Sequence, residues 1–97
     1  MRYEIALAPE AVQDLKRLRA DLRIMVRDAI EKHLRHQPTR TSRSGVKRLR
    51  GVSRPQYRLR SGDVRIFYDV SEDTVEVLAV VLKSEADVWL RKGGDLT

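Results

Sequence analysis

Residues 56–70 read QYRLRSGDVRIFYDV, and this stretch decides how the rest of the chain is interpreted. Two runs of alternating apolar and polar residues flank Gly62 and Asp63, and a glycine-containing pair between such runs is typical of a two-residue β-hairpin turn. If these two residues form the turn, Arg60 lies directly opposite Arg65 on the neighbouring strand. The stretch therefore predicts an antiparallel hairpin with a defined register.

This register sorts the hairpin side chains onto two faces, because successive residues of a strand point to opposite sides of a sheet. One face suits a core under helices and consists of Tyr57, Leu59, Val64, Ile66 and Tyr68. The opposite face carries three arginines and one aromatic ring, namely Arg58, Arg60, Arg65 and Phe67. A shift of one residue would mix the two sets, which supports the register.

The three arginines, which we call the arginine face, predict an anion-binding surface. Like charges placed directly opposite each other destabilise a sheet, and a fold tolerates them more readily when an anion lies between them. A guanidinium group binds phosphate through two parallel hydrogen bonds and stays charged at any relevant pH. Four further basic residues are candidates to extend this surface: Lys47, Arg48, Arg50 and Arg54. Phe67 either stacks on a nucleobase or fills a gap in the packing.

The net charge of +6 is concentrated in one third of the chain. Residues 35–65, which include the polar loop TRTSRSG at 39–45, hold ten Lys or Arg residues and one acid, a charge of +9. The rest holds ten bases and thirteen acids, a charge of −3. A surface selected only for solubility would usually mix both signs. The concentrated charge therefore indicates a polyanionic partner, with nucleic acid as the first candidate.

The N-terminal third predicts one strand followed by two helices. Alternation over residues 2–8 indicates the strand, and Pro9 suits the first position of a helix. An apolar stripe over residues 22–34 predicts the second helix, with Asp21 as its N-terminal cap and its end before Pro38.

The remaining elements complete a sheet. A short strand is expected at 46–50 and a turn at 51–55. The almost wholly apolar TVEVLAVVL at 74–82 is typical of a central strand with both faces covered. Ser84 and Asp87 resemble a capping box for a short last helix.

We therefore predict a single α+β domain over residues 1–97, with its main elements in the order β-α-α-β-β-β-α beside the short strand at 46–50. A small, mainly antiparallel sheet carries the two N-terminal helices on one face. The chain of 97 residues is too short for two independent cores. The second face of the sheet needs a cover over part of its area, either the last helix or a segment of a partner protein, and is otherwise free for a ligand.

Composition excludes several classes of site. The chain has no cysteine and two histidines, so disulfides, thiolate nucleophiles and three-histidine zinc sites are excluded, and no metal or other cofactor is expected. Neither His33 nor His36 has partners for a catalytic triad. No signal-peptide pattern or membrane-spanning apolar run is present, so we expect a cytoplasmic protein with no membrane partner.

Residues 47–70, KRLRGVSRPQYRLRSGDVRIFYDV, followed by VEVLAVVLKSEADVWL at 75–90, resemble the RelE/ParE toxin superfamily. The most specific parts are LRG at 49–51 and YRLRSGDVRIFY at 57–68, and the element order matches over nearly the whole chain. The RelE-like resemblance implies the toxin of a type II toxin–antitoxin system, held in a hetero-oligomer by a cognate antitoxin. It further implies an enzyme that enters the ribosomal A site and cleaves mRNA without a metal. In that chemistry the RNA 2′-hydroxyl attacks the phosphate and leaves a 2′,3′-cyclic phosphate.

The resemblance also assigns residue roles. Arg58 matches a basic residue of the family's active strand, and Arg65 matches its phosphate-binding arginine. Lys83 stands where RelE usually has an arginine assigned as general acid, and it could take over the proton transfer. Trp89 stands where many members have a tyrosine, and an indole has no acid–base chemistry. It either stacks on a nucleobase or packs the last helix on the sheet.

The expected site thus has two parts. The candidate catalytic residues are Arg58, Arg65 and Lys83. The candidate RNA-binding residues are Lys47, Arg48, Arg50, Arg54, Arg60, Phe67 and Trp89. Three alternatives stay open: a ParE-like poison of DNA gyrase, a non-catalytic nucleic-acid-binding module, and a degenerate toxin that acts only in complex with its partner.

Overall fold

A five-stranded sheet with helices on both faces forms the body of the protein, in a computed structural model that describes residues 1–93 and the backbone of 95–96. The elements in chain order are β1 (Glu4–Leu7), α1 (Pro9–Arg17), α2 (Ala20–Ala29) continuing into a π-helical segment (Ile30–Leu34), β2 (Val46–Arg48), β3 (Val52–Arg54), β4 (Tyr57–Ser61), β5 (Val64–Ser71), β6 (Thr74–Leu82), α3 (Lys83–Gly93) and β7 (Asp95–Leu96). The α+β class and the order of the main elements are confirmed.

The strands lie in the order β1-β6-β5-β4-β2. β1 runs parallel to β6 and the other neighbours are antiparallel, which confirms a mainly antiparallel sheet. A separate two-stranded ribbon joins β3 to β7. The expected turn at residues 51–55 was therefore partly wrong, because β3 lies within it and pairs with a strand about forty positions away. No helix in the described part of the chain is long and apolar enough to cross a membrane.

The hairpin of β4 and β5 has the predicted register, with Arg60 opposite Arg65 and Tyr57 opposite Tyr68. Gly62 opens the turn with φ of +58°, a conformation that favours glycine. A methyl group at this position would lie 3.1 Å from the Cε atom of Met25, so the turn also passes close under α2. Backbone conformation and packing therefore both select glycine here.

The main core lies between the sheet and the two N-terminal helices, as predicted. α1, α2 and the π-helical segment contribute Ala11, Leu15, Val26, Ile30 and Leu34. The sheet contributes Val46, Leu59, Val64, Ile66, Tyr68, Val75, Val77 and Val80.

The helical stretch ends before Pro38 as expected. The assignment of Asp21 as the cap of α2 was wrong, because the helix begins at Ala20 and Asp21 lies in its first turn, where its carboxylate accepts a hydrogen bond from Arg19.

A buried tyrosine fixes the exit of the helical stretch against the hairpin. The Tyr68 hydroxyl donates a 2.6 Å hydrogen bond to the carbonyl of Pro38. Its ring stacks on Tyr57 with 5.5 Å between centroids, and the Arg48 guanidinium lies over Tyr57 at 5.0 Å. Burial raises the pKa of Tyr68, so its hydroxyl remains a donor.

α3 covers part of the second face of the sheet. Phe67, Ala79 and Ala86 form a smaller core there, with Trp89 and Leu90 packed against it. The expectation that both faces of β6 are covered is confirmed around Ala79, where α3 supplies the cover, but not at Glu76, whose side chain is 45% exposed. The capping box was misplaced, because α3 begins at Lys83 and Ser84 therefore lies inside its first turn.

A β-bulge in β6 depends on a carboxylate from α1. Tyr68 pairs with Val77, whereas Phe67 pairs with Ala79, so Leu78 is an extra residue in β6. The N–H of Val80 donates to Oδ2 of Asp14 at 2.9 Å. Burial raises the pKa of Asp14, although the hydrogen bond from Val80 acts in the opposite direction. Asp14 therefore stabilises the bulge as an acceptor, while its charge is unfavourable there.

Substitution of Asp14 separates these two contributions. Asp14→Ala leaves the Val80 N–H without its acceptor, and we expect it to lower the free energy of unfolding by about 1–2 kcal/mol. Asp14→Asn keeps an acceptor and removes the charge, so it should match or exceed the wild type at pH 7. Urea denaturation of the three proteins measures both effects.

The same comparison has a defined pH dependence. Because the pKa of Asp14 in the folded state lies above its ordinary value of 3.8, the charge penalty is full at neutral pH and disappears as pH falls to that value. Any advantage of Asp14→Asn over the wild type should therefore shrink on acidification. An Asn variant as unstable as the Ala variant at pH 7 would contradict the acceptor role.

Candidate nucleic-acid interface

The arginine face extends over three neighbouring strands. Arg58 and Arg60 project from β4 on the side away from α1 and α2, and Arg65 lies opposite Arg60 on β5. Lys47 on β2 lies opposite Arg58, so alternation places its side chain on the same face. Four cationic side chains from β2, β4 and β5 are therefore adjacent on this side of the sheet.

These guanidinium groups have no acidic partner among the described residues. The ion pairs found within 4 Å in residues 1–93 involve only four other arginines, Arg17, Arg19, Arg35 and Arg54. The Nε atom of Arg58 is buried without a hydrogen-bond partner. Burial, followed by the charges of Arg65 and Arg60, lowers the pKa of Arg58. The local environment thus disfavours the charged guanidinium, and a bound anion would relieve this penalty.

The hairpin turn itself holds Arg65. This side chain is only 6% exposed, and its Nη1 donates to the carbonyls of Gly62 at 2.8 Å and Val64 at 3.1 Å. Both acceptors are uncharged, so they orient the guanidinium without neutralising it. Orientation in advance is the property that makes a cation effective against charge that develops during a reaction.

Lys83 lies beside the same turn. Its backbone N–H donates to the carbonyl of Asp63 at 2.7 Å, which joins the start of α3 to the hairpin. The side chain is exposed, and an open cleft at this junction is lined by Asp63, Leu82, Lys83, Ser84 and Asp87. The structure therefore brings Lys83 to the end of the hairpin that carries Arg60 and Arg65.

The two aromatic candidates do not form an open stacking surface. Phe67 is fully buried, and its ring stacks on Trp89 with 4.7 Å between centroids and 10° between planes. The indole Nε1 of Trp89 donates to Oε1 of Glu10 on α1 at 3.1 Å. Of the two alternatives for each ring, packing is the one that the structure shows: both rings pack α3 on the sheet, and Trp89 also ties it to α1. Phe67 is therefore corrected as an RNA-binding residue, because its ring is fully buried.

Two of the basic candidates are also engaged elsewhere. Arg54 donates from Nε to Asp69 at 2.7 Å and from Nη2 to Glu76 at 2.8 Å, and the hydrogen bond to Asp69 raises the pKa of Arg54. Its charge is therefore neutralised within the fold. Arg48 pairs with Tyr57 and lies on the opposite face of the sheet from Arg58. Neither residue extends the arginine face.

Lys47 and Arg50 have different positions. Lys47 is exposed next to Arg58 on the arginine face. Arg50 is exposed in the connection between β2 and β3, outside the five-stranded sheet. Only the pairing of β2 with β4 distinguishes these two positions, and the sequence offers no direct signal for that pairing.

The arrangement can bind a phosphodiester and stabilise extra negative charge on it. Guanidinium groups supply paired donors for the non-bridging oxygens, and an ammonium group can donate a proton to a leaving oxygen. Within the described residues, no group of three or more histidine, aspartate or glutamate side chains is placed to hold a metal ion.

Solved structures of bacterial and archaeal toxins and of their antitoxin complexes have a similar fold. The RelBE2 toxin–antitoxin complex of Mycobacterium tuberculosis matches with a TM-score of 0.69 and 25% identity, over 84% of this chain and 99% of that one. A RelB–RelE complex from Methanococcus jannaschii matches with a TM-score of 0.67 and 23% identity, over 87% and 96%. A free E. coli RelE mutant matches with a TM-score of 0.68 and 22% identity, over 92% of each chain.

Comparison by sequence gives the family. No curated protein sequence matches the chain significantly. The family model for the ParE toxin of the type II toxin–antitoxin system parDE matches residues 5–87, which is most of the chain and spans nearly all of the main sheet. The chain therefore belongs to the ParE toxin family of type II toxin–antitoxin systems, within the RelE/ParE superfamily.

Proposed function

We propose that this toxin is a metal-independent endoribonuclease that cleaves mRNA in the ribosomal A site and thereby stops translation in the cytoplasm. The observation that carries the proposal is the cluster of cations without acidic partners on one side of the sheet, in which Arg60 and Lys47 are exposed, Arg58 is half-buried and Arg65 is buried behind them. A phosphodiester supplies the charge that this surface lacks. The RelE-like fold of the solved toxins and their complexes supports the same assignment.

The chemistry follows from the positions of the cations. The 2′-hydroxyl of the RNA releases its proton to solvent water as its oxygen attacks the adjacent phosphorus, a new P–O bond forms, and the bond to the 5′-oxygen breaks. Arg58 and Arg65 stabilise the additional charge of the phosphorane, which is the kind of interaction that contributes most to rate enhancement. Lys83, beside the hairpin turn, protonates the leaving 5′-oxygen. Arg60 and Lys47 bind neighbouring phosphates and align the strand.

A cognate antitoxin controls this surface in the proposal. Two of the similar solved structures are complexes of a RelE toxin with its RelB antitoxin. An antitoxin segment rich in carboxylates would neutralise the arginine face and exclude RNA from it at the same time. Inhibition and complex formation would then share one electrostatic cause.

A gyrase poison is the second candidate, and a specific observation favours it. The matching family model is that of ParE toxins rather than RelE toxins. In addition, Trp89 stands at the family's tyrosine position and is used for packing against Phe67. A toxin that acts by binding a protein would not need an acid–base group at this position.

Expression of the wild type and Arg65→Ala in growing cells tests the proposed activity. We expect the wild type to arrest growth and to leave messenger fragments ending in 2′,3′-cyclic phosphates. Loss of one preorganised donor reduces such a reaction about 100–1000-fold, so Arg65→Ala should abolish both effects. Mapping of RNA ends with chemistry specific for cyclic phosphates provides the readout.

The same cells distinguish the alternatives. Intact messengers together with gyrase-dependent DNA breaks would overturn the ribonuclease proposal in favour of the gyrase poison. RNA binding that weakens in Arg65→Ala without any cleavage in the wild type would indicate a non-catalytic binding module. Growth unaffected by the wild type would indicate a degenerate toxin.

The stability of two arginine variants tests whether the uncompensated charge is kept for a ligand. Arg58→Met removes a buried nitrogen without a hydrogen-bond partner, and we expect the free energy of unfolding to rise by about 1 kcal/mol. The matched control Arg54→Met breaks two ion pairs and should lower it by less than about 1 kcal/mol. Arg58→Met should lose toxicity and Arg54→Met should keep it.

Chemical denaturation gives the stabilities, and growth after induction gives the toxicity. A less stable Arg58→Met protein would show that Arg58 has a structural role, and its charge would then not be kept for a ligand alone.

A further inference from the structure

The arginine face leaves part of the positive charge of residues 35–65 unexplained. Arg54 is neutralised by two carboxylates, and Arg48 lies over Tyr57 on the other side of the sheet. Arg40 and Arg43, in the loop before β2, are exposed and contribute to neither arrangement. The loop that carries them lies next to the π-helical segment, and the two together form a second polar concavity.

This concavity, which we call the basic pocket, lies on the helical side of β2. Its lining consists of Lys32, His33, Gln37, Arg40, Ser42 and Val46. Lys32 and His33 belong to the π-helical segment, and such segments in helices occur frequently at functional sites. An ammonium, an imidazole, a guanidinium, an amide and a hydroxyl thus surround one space, and each of these groups can donate a hydrogen bond to an anion.

The charges of the basic pocket are not compensated. Within the described part of the chain, no carboxylate forms an ion pair within 4 Å of the side-chain nitrogens of Lys32, His33 or Arg40. The guanidinium of Arg40 donates to the neutral amide oxygen of Gln37 at 3.2 Å. Like the arginine face, the basic pocket therefore holds positive charge without a carboxylate that neutralises it.

One strand separates the two surfaces. Val46 of β2 lines the basic pocket, and the next residue, Lys47, projects to the other side beside Arg58. β2 is the last strand in the sheet order, and its free edge lies between the pocket and the arginine face. A flexible polyanion bound along Arg60, Arg58 and Lys47 would cross this edge and continue into the basic pocket.

We propose that the basic pocket is a second phosphate-binding site, which holds the backbone of the same single-stranded RNA a few nucleotides away from the arginine face. The inference rests on the proposed function, because it assigns a further contact to the same substrate. Phosphate fits the pocket better than a base, since the lining offers two cations and several hydrogen-bond donors but no phenylalanine, tyrosine or tryptophan ring. The site extends the RNA footprint around the β2 edge.

Binding of oligonucleotides of two lengths tests this proposal with the full chain. RNA with 2′-O-methyl groups cannot be cleaved by attack of its own 2′-oxygen, so fluorescence anisotropy reports binding alone. Oligonucleotides of about 4 and about 16 nucleotides span the site sizes of small single-strand-binding folds. The test variant is Lys32→Gln/Arg40→Gln. The matched control Lys16→Gln/Arg19→Gln removes the same charge at the end of α1 and the start of α2, where both side chains are exposed.

The basic-pocket variant should bind the long oligonucleotide about 10-fold more weakly than the wild type, because one or two charge-assisted hydrogen bonds to phosphate are removed. Its salt dependence should also weaken, by about 0.7 in the slope of log K against log salt for each phosphate that the protein no longer neutralises. Binding of the short oligonucleotide should change by less than about twofold, since it can be held by the arginine face alone. The control variant should resemble the wild type with both lengths.

Equal weakening in the test and control variants would overturn the proposal, because net charge alone would then explain the effect. Unchanged RNA binding combined with weakened binding of the cognate antitoxin would also overturn it and would make the pocket a protein-docking site. Failure of the proposed function gives a different result: cells expressing the wild type would then contain no messenger fragments ending in 2′,3′-cyclic phosphates, whatever the basic-pocket variant binds.

Discussion

The repulsion between Arg60 and Arg65 across the hairpin is the constraint on which the functional surface depends. A pair of like charges at directly opposed positions destabilises a sheet by up to about 1 kcal/mol. The other side of the same strands buries Leu59, Ile66 and Tyr68 completely, and each such side chain contributes about 1.5–3 kcal/mol when it leaves water. The free energy gained from apolar burial therefore exceeds the cost of the repulsion between the arginines and fixes the register. This register in turn places the guanidinium groups next to one another.

The second face of the sheet is divided into a neutral end and a cationic end. Near the far ends of β5 and β6 from the Gly62 turn, Asp69 and Glu76 compensate Arg54. Toward that turn the arginines have no acidic partner within the described residues, and the Nε atom of Arg58 stays without a hydrogen bond. Arginine thus forms stabilising ion pairs at one end of this face, whereas at the other end the arginines without acidic partners destabilise the fold. Under the proposed function, this difference in charge would direct the phosphates of an RNA to the turn, where backbone carbonyls already orient Arg65.

Local patterns predicted most of the fold, and contacts between distant residues account for what they did not. The hairpin register follows from residues 56–70 alone, because the turn and the alternation lie within one short stretch. The bulge at Leu78 depends on Asp14, which lies 66 positions before the residue whose N–H it accepts. The partners of Arg54 lie on two other strands, and the burial of Phe67 depends on where α3 docks. The sequence therefore showed which basic and aromatic residues share a face of the sheet. It did not show which of them form ion pairs with, or pack against, distant residues.

The fixed position of α3 has a consequence for substrate recognition. The Lys83 N–H ties its first turn to the hairpin, and Trp89 ties it to both Phe67 and Glu10. With both rings packed, the arginine face and the basic pocket offer an RNA strand cations and hydrogen-bond donors for its phosphates. Phosphate contacts position a nucleic acid but carry no information about its bases. If the proposed function holds, any codon preference of this toxin should arise from how the ribosome presents the messenger, because the toxin binds only the RNA backbone.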